Sequence, residues 1–194
     1  MGRHARYWLA TRRSVKQALA MAGFVGLLRG INVGGHARLP MAALREICAG
    51  LGWEKVETYI QSGNFVFEAE GREATLEAAL EAALPLRVPV LVRAAPAWRR
   101  LVAANPFAAE AQDEAQRVLT GLSKRPPAAG AAAAIEAKAA AGERVLEAGG
   151  ALWFHYPEGV GTSKLTPALI DRAAGSPVTA RNWRTLQKLE EMLG

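Results

Sequence analysis

The chain has almost no cysteine: among its 194 residues only Cys48 carries a thiol, so no internal disulfide forms. A lone cysteine suits a reducing compartment, and a cytoplasmic location is expected. Histidine is nearly as scarce. His4, His36 and His155 lie far apart, without the ligand spacing of a zinc site, so neither a metal nor a cofactor is expected. No apolar run approaches the roughly 20 residues that span a bilayer, and no membrane association is expected. Acidic residues are missing from the first 20 positions, which hold Arg3, Arg6, Arg12, Arg13 and Lys16. The other 174 residues carry 19 basic and 18 acidic side chains, so most of the formal charge of +6 belongs to this start. It lacks the apolar core and small-residue cleavage site of an export signal. Residues 1–22 therefore read as a basic extension outside the folded part, disordered or non-native.

What is present is ordinary globular composition, 51% hydrophobic and 22% charged, enough for a sizeable core. Residues 24–31 read as a buried strand ending in a Gly34-Gly35 turn. Pro40 then opens a helix with Met41, Leu44, Ile47 and Cys48 at helical spacing. "VETYIQ" and "FVFEAE" flank Ser62-Gly63-Asn64 as a hairpin, Leu76, Leu80 and Leu84 mark a second helix, and "VPVLVRA" is a strand. The order β-α-β-β-α-β recurs after a linker helix at 96–104, through "QRVLTGLSK", an alanine-rich helix in "PPAAGAAAAIEAKAAAG", a hairpin at Gly149-Gly150, a helix from Thr166 and the strand "PVTAR". "WRTLQKLEEML" adds a terminal helix. The expected fold class is α+β: two tandem ferredoxin-like plaits, 23–95 and 96–194, the second including the C-terminal helix.

Four stretches concentrate glycine, asparagine and base: "LLRGINVGG", "TYIQSGNFVF", "GVGTSKLTPALI" and "TARNWRTLQKL". Together, in this order from about residue 24 to 189, they resemble the signature segments of the bacterial family catalogued as domain of unknown function 1697. The resemblance implies a two-plait α+β protein and no established activity.

Read physically, Gly34, Gly35 and Ser62-Gly63-Asn64 are first what tight turns require. Arg29, at the end of a buried strand, needs a partner, either a protein carboxylate or a bound anion. "GVGTSK" before a helix suits backbone cradling of an anion through Ser163 and Lys164, though its glycine spacing is not that of a P-loop. Asn182 sits at an N-cap position. Arg181 and Arg184 flank the positive end of the terminal helix, where cations are disfavoured. Residues 159–188 hold five basic side chains against the single acid Asp171.

The expected site is an anion-binding cleft between the plaits, built from Arg29, Asn32, Gly34, Gly35, Ser163, Lys164, Arg181, Asn182 and Arg184. Its ligand would be phosphate, a nucleotide or a nucleic acid. An acylphosphatase-like hydrolase using Arg29 with Asn32 or Asn64 is a second reading, resting on fold analogy alone. An oligomerising or protein-binding module is a third.

Overall fold

The computed structural model describes residues 20–32 and 37–194. Gly34 and Gly35, and the basic start apart from its last residues, lie outside the described residues.

The first half begins with β1 (Ala22–Leu28), followed by α1 (Met41–Gly50), β2 (Glu54–Tyr59), β3 (Asn64–Ala69), α2 (Glu73–Ala83) and β4 (Val90–Ala94). Two helices, α3 (Ala95–Ala103) and α4 (Ala108–Asp113), lead to the second half. There β5 (Val118–Leu122), α5 (Ala131–Glu136), β6 (Arg144–Ala148), β7 (Ala151–His155), α6 (Pro167–Ala174) and β8 (Thr179–Asn182) precede the terminal α7 (Trp183–Met192). The protein is thus mixed α+β, with two four-stranded antiparallel sheets ordered β2-β3-β1-β4 and β6-β7-β5-β8. The expected hairpin forms, with Thr58 opposite Phe65.

Alternation along β1 gives the first sheet two buried faces. Phe24 and Leu28 pack with Met41, Leu44, Leu76 and Leu80 beneath α1 and α2. Val25 and Leu27 face the other way and join Trp98, Leu101, Val118, Leu122, Trp153, Leu186 and Leu189 in a cluster shared by both sheets, α3 and α7. Phe154 and Tyr156, alternating with Trp153 as strand geometry demands, pack on the outer side against α5 and α6 with Ile135 and Leu165. Five layers follow: helices, sheet, shared core, sheet, helices.

Two elements differ from expectation. The alanine-rich segment is helical only over Ala131–Glu136, because Gly130 enters in the left-handed region (φ 79°) and only Ala131 and Ile135 find a buried site. The short α4 has too few residues for a readable period. It is held by the buried Phe107 and Ala111, and Asn105 Oδ1 accepts from Phe107 N–H at 2.9 Å.

The outer edge of β4 is closed by its own helix. Glu73, Glu77 and Glu81, one turn apart on α2, accept hydrogen bonds from Ala94, Val92 and Val90 N–H at 2.8, 3.0 and 2.9 Å. The match is geometric: four helical residues rise about 6 Å and two strand residues about 6.7 Å. Glu77 is 5% exposed, and its burial raises the carboxyl pKa above the ordinary 4.5 against the opposing pull of Val92 N–H, Lys124 and Arg93. Folding therefore favours the protonated acid, and stability should rise as pH falls through the raised pKa towards 4.5. Urea melts across this range should show the wild type gaining on Glu77→Gln, which keeps an acceptor for Val92. A difference that stays constant with pH would show that the carboxylate is not desolvated. Glu77→Ala, which orphans that N–H, should lose about 1–3 kcal/mol.

Candidate functional site: a cleft closed by exchanged arginines

Arg29 follows β1 directly, and its Nη2 meets Asp171 Oδ2 on α6 at 2.8 Å, an ion pair across the two halves. Asp171 Oδ1 also accepts from Val178 N–H at 2.8 Å, which fixes the carboxylate beside β8. Asp171 is the one acid of the basic C-terminal stretch, and that was the only signal for it in the sequence.

Arg181 makes the reverse crossing, from β8 into the first half. Its Nη2 donates to Leu28 O at 2.8 Å and Ser62 O at 3.1 Å, its Nε to Asn64 Oδ1, and its Nη1 to Ala180 O at 2.8 Å. All four acceptors are neutral, and desolvation lowers the guanidinium pKa to about 10. Asn64, fully buried, is oriented for this role by donating to Tyr59 O and Ser62 Oγ at 3.2 and 2.9 Å. Gly63 must be glycine here: φ is 76°, and a Cβ would meet Ile31 and Leu28 at 2.8 Å.

Asn32, in the left-handed region (φ 55°), braces the loop before α1. Its amide donates to Leu39 O and Gln61 O at 2.9 and 2.6 Å and its oxygen accepts from Leu39 N–H at 2.9 Å. Asn182 caps α7 by accepting from Thr185 N–H at 2.9 Å, as Thr166 caps α6. Ser163 Oγ accepts from Leu165 N–H at 3.1 Å within its own turn, while Lys164 and Arg184 are exposed.

Between these crossings lies a cleft of about 380 Å³, lined by Arg29 and Gly30 of the first half and, from the second, by Leu119, Phe154, Tyr156, Pro167, Ile170, Asp171 and residues 178–181. Of the nine expected site residues, Arg29 and Arg181 line it. Asn32, Ser163, Lys164, Asn182 and Arg184 do not. Thr179, 5% exposed, lines the cleft and its hydroxyl has no hydrogen-bond partner among the described residues. Among the described residues no cluster of three or more potential metal ligands occurs, and no helix is long and apolar enough to cross a membrane. Cys48 is fully buried in the first core and its thiol is pushed up to about 12, so it has no part in the site.

Fold and cleft together define a two-sheet α+β protein with a small, partly charged pocket between its halves. The chain belongs to the family described as "Protein of unknown function (DUF1697)", whose model matches residues 21–153. That match ends before the C-terminal motifs, short of residue 189. In fold the chain is similar to a conserved bacterial protein from Streptococcus pneumoniae, with 23% identity, 90% of this chain and 100% of that chain covered, and a TM-score of 0.66. No curated protein matches.

The two arginines should separate in melting experiments. Arg181→Met removes the donor from three neutral oxygens of the first half and should lose about 3 kcal/mol or more. Arg29→Met breaks a quarter-exposed ion pair and should lose about 1 kcal/mol or less. Equal losses would mean that Arg29, too, is a structural clamp.

Proposed function

We propose that each half is a ferredoxin-like plait and that the cleft between them binds a small organic anion, a phosphate or carboxylate carried on an apolar body. One observation carries this reading: the half-buried guanidinium of Arg181 has only neutral acceptors, in a cleft otherwise walled by Leu119, Phe154, Tyr156, Ile170 and Val178. Arg29, Arg181 and Asp171 leave one net positive charge at a partly screened site, which favours an anion. The Arg29 guanidinium spends one nitrogen on Asp171 and has no other acceptor among the described residues, so donors remain for a ligand. The volume is that of a small-molecule site.

The hydrolase reading has less support, because Asn32 is occupied at both ends by Leu39 and Gln61 and Asn64 holds Arg181.

The test is a thermal-shift panel of inorganic phosphate, nucleoside monophosphates, and aliphatic and aromatic carboxylates. Wild type should be stabilised by RT ln(1 + [L]/Kd), about 2.7 kcal/mol at a hundred times Kd. Ile170→Trp, which fills the apolar wall without adding charge, should abolish the shift. No shift in wild type with any probe, or an equal shift in the variant, overturns the reading.

A further inference from the structure

The two halves can be superposed in register through their strand glycines. Gly26 of β1 lies opposite Val92 of β4, and Gly121 of β5 lies opposite Ala180 of β8. Both glycines face an aromatic ring, Phe65 or Phe154, closer than 3 Å to where a Cβ would stand. Ala180 is therefore the counterpart of Val92, Asn182 of Ala94, and Val178 of Val90.

The register exposes a difference. In the first half three glutamates of α2 take up the N–H groups of Val90, Val92 and Ala94. In the second, Asp171 takes up Val178 N–H as Glu81 does Val90 N–H. One and two turns earlier, however, stand Pro167 and Ser163, which carry no carboxylate. No side chain among the described residues accepts from Ala180 N–H. The helices differ in the same sense: α2 packs extensively along β4, whereas α6 packs chiefly on α5. The cleft occupies this gap, lined by Pro167 on one side and Ala180 on the other.

An open strand edge presents peptide N–H and C=O groups whose natural complement is another main chain. This edge adjoins an apolar slot and a net charge of one. We infer that the cleft receives the C-terminal end of an extended peptide, added to the edge of β8 as a further strand. Its terminal carboxylate takes the spare donors of Arg29, and an aliphatic last side chain enters the slot of Leu119, Phe154 and Ile170. This rests on the anion-binding reading of the same cleft and names its ligand class. A nucleotide would satisfy the charge and the apolar wall but would leave the edge N–H of Ala180 unmatched. A peptide end matches all three, and one carboxylate balances the charge left by Arg29, Arg181 and Asp171.

The experiment titrates the full chain, labelled with nitrogen-15, with three probes: an N-acetylated tetrapeptide ending in leucine, its C-terminal amide, and a nucleoside monophosphate. The free acid should bind, shift the Ala180 amide resonance and slow its hydrogen exchange, and the amide should bind at least tenfold more weakly. Ala180→Pro, a substitution an edge position tolerates, removes that N–H and should weaken the acid at least tenfold. If this variant does not fold, the wild-type Ala180 resonance decides alone. Equal binding of acid and amide, or binding that leaves Ala180 unperturbed, overturns the peptide assignment. Binding of the monophosphate at Phe154 and Ile170 without binding of the peptide overturns it too, yet upholds the anion-binding cleft. If none of the probes binds and the wider anion panel is also silent, both readings fall.

Discussion

One arginine, Arg181, reaching from the second half into the first, sets the geometry on which the rest of this molecule depends. The shared apolar core of Val25, Leu27, Trp98, Trp153 and Leu186 supplies most of the driving force, but hydrophobic burial is non-directional and tolerates many docking angles. A desolvated guanidinium tolerates few, because leaving its N–H groups unpaired costs several kcal/mol. Arg181 meets Leu28 O, Ser62 O and Asn64 together only in one placement of β8 against the first hairpin. Lys124 also crosses between the halves, reaching Glu81 at 2.8 Å and Glu77 at 3.8 Å, and Arg93 donates to Ser123 O. Polar contacts thus supplement the apolar interface and fix its register. The cleft exists where it does because Arg29 is delivered to Asp171 by that same docking.

The duplicated halves show what a fold requires and what it leaves free. Both need a glycine where an aromatic ring crosses the central strand, and both keep one, Gly26 and Gly121. Both have an edge strand that would otherwise invite pairing. The first half neutralises its edge with a ladder of three carboxylates, accepting the burial of Glu77 as part of the arrangement. The second keeps only the last rung, Asp171, and couples even that one to Arg29. Among the described residues no side chain replaces the two missing rungs, and an open edge is a feature that natural proteins usually manage. This contrast between the two edges is the ground of the proposed peptide site.

The order of elements was legible in the sequence because it depends on local signals. Period-2 apolar runs gave the strands, Ser62-Gly63-Asn64 the hairpin, and Thr166 and Asn182 are the caps their positions implied. The six-residue α4 and the shortened α5 escaped because neither has enough turns to display a period, and alanine alone does not fix a helix end. The site was half legible. Arg29 and Arg181 stand out as charges without local partners, and both line the cleft. Their partners, Asp171 and Asn64, lie 142 and 117 positions away and are brought near only by the docking of the halves. No local pattern could have paired them. Lys164 and Arg184 looked equivalent to Arg181 by charge, yet are exposed: β8 turns Arg181 inward, Arg184 faces out from α7, and Lys164 stands in the segment before α6.

The motifs that first suggested a ligand turn out to serve two purposes at unequal depth. In "LLRGINVGG" the carbonyl of Leu28 receives Arg181 and Asn32 ties the loop to Leu39 and Gln61, so most of the segment is committed to structure. In "YIQSGN" the turn exists to present Ser62 O and Asn64 to the same guanidinium. Once those commitments are subtracted, what remains available for chemistry is small: the unspent donors of Arg29, the hydroxyl of Thr179, and the edge of β8. None of these groups is a nucleophile poised beside a base, and His155 packs against Phe107 rather than the cleft. Among the described residues the cleft thus offers hydrogen-bond donors beside an apolar wall, and these are the features on which the proposed anion-binding reading rests.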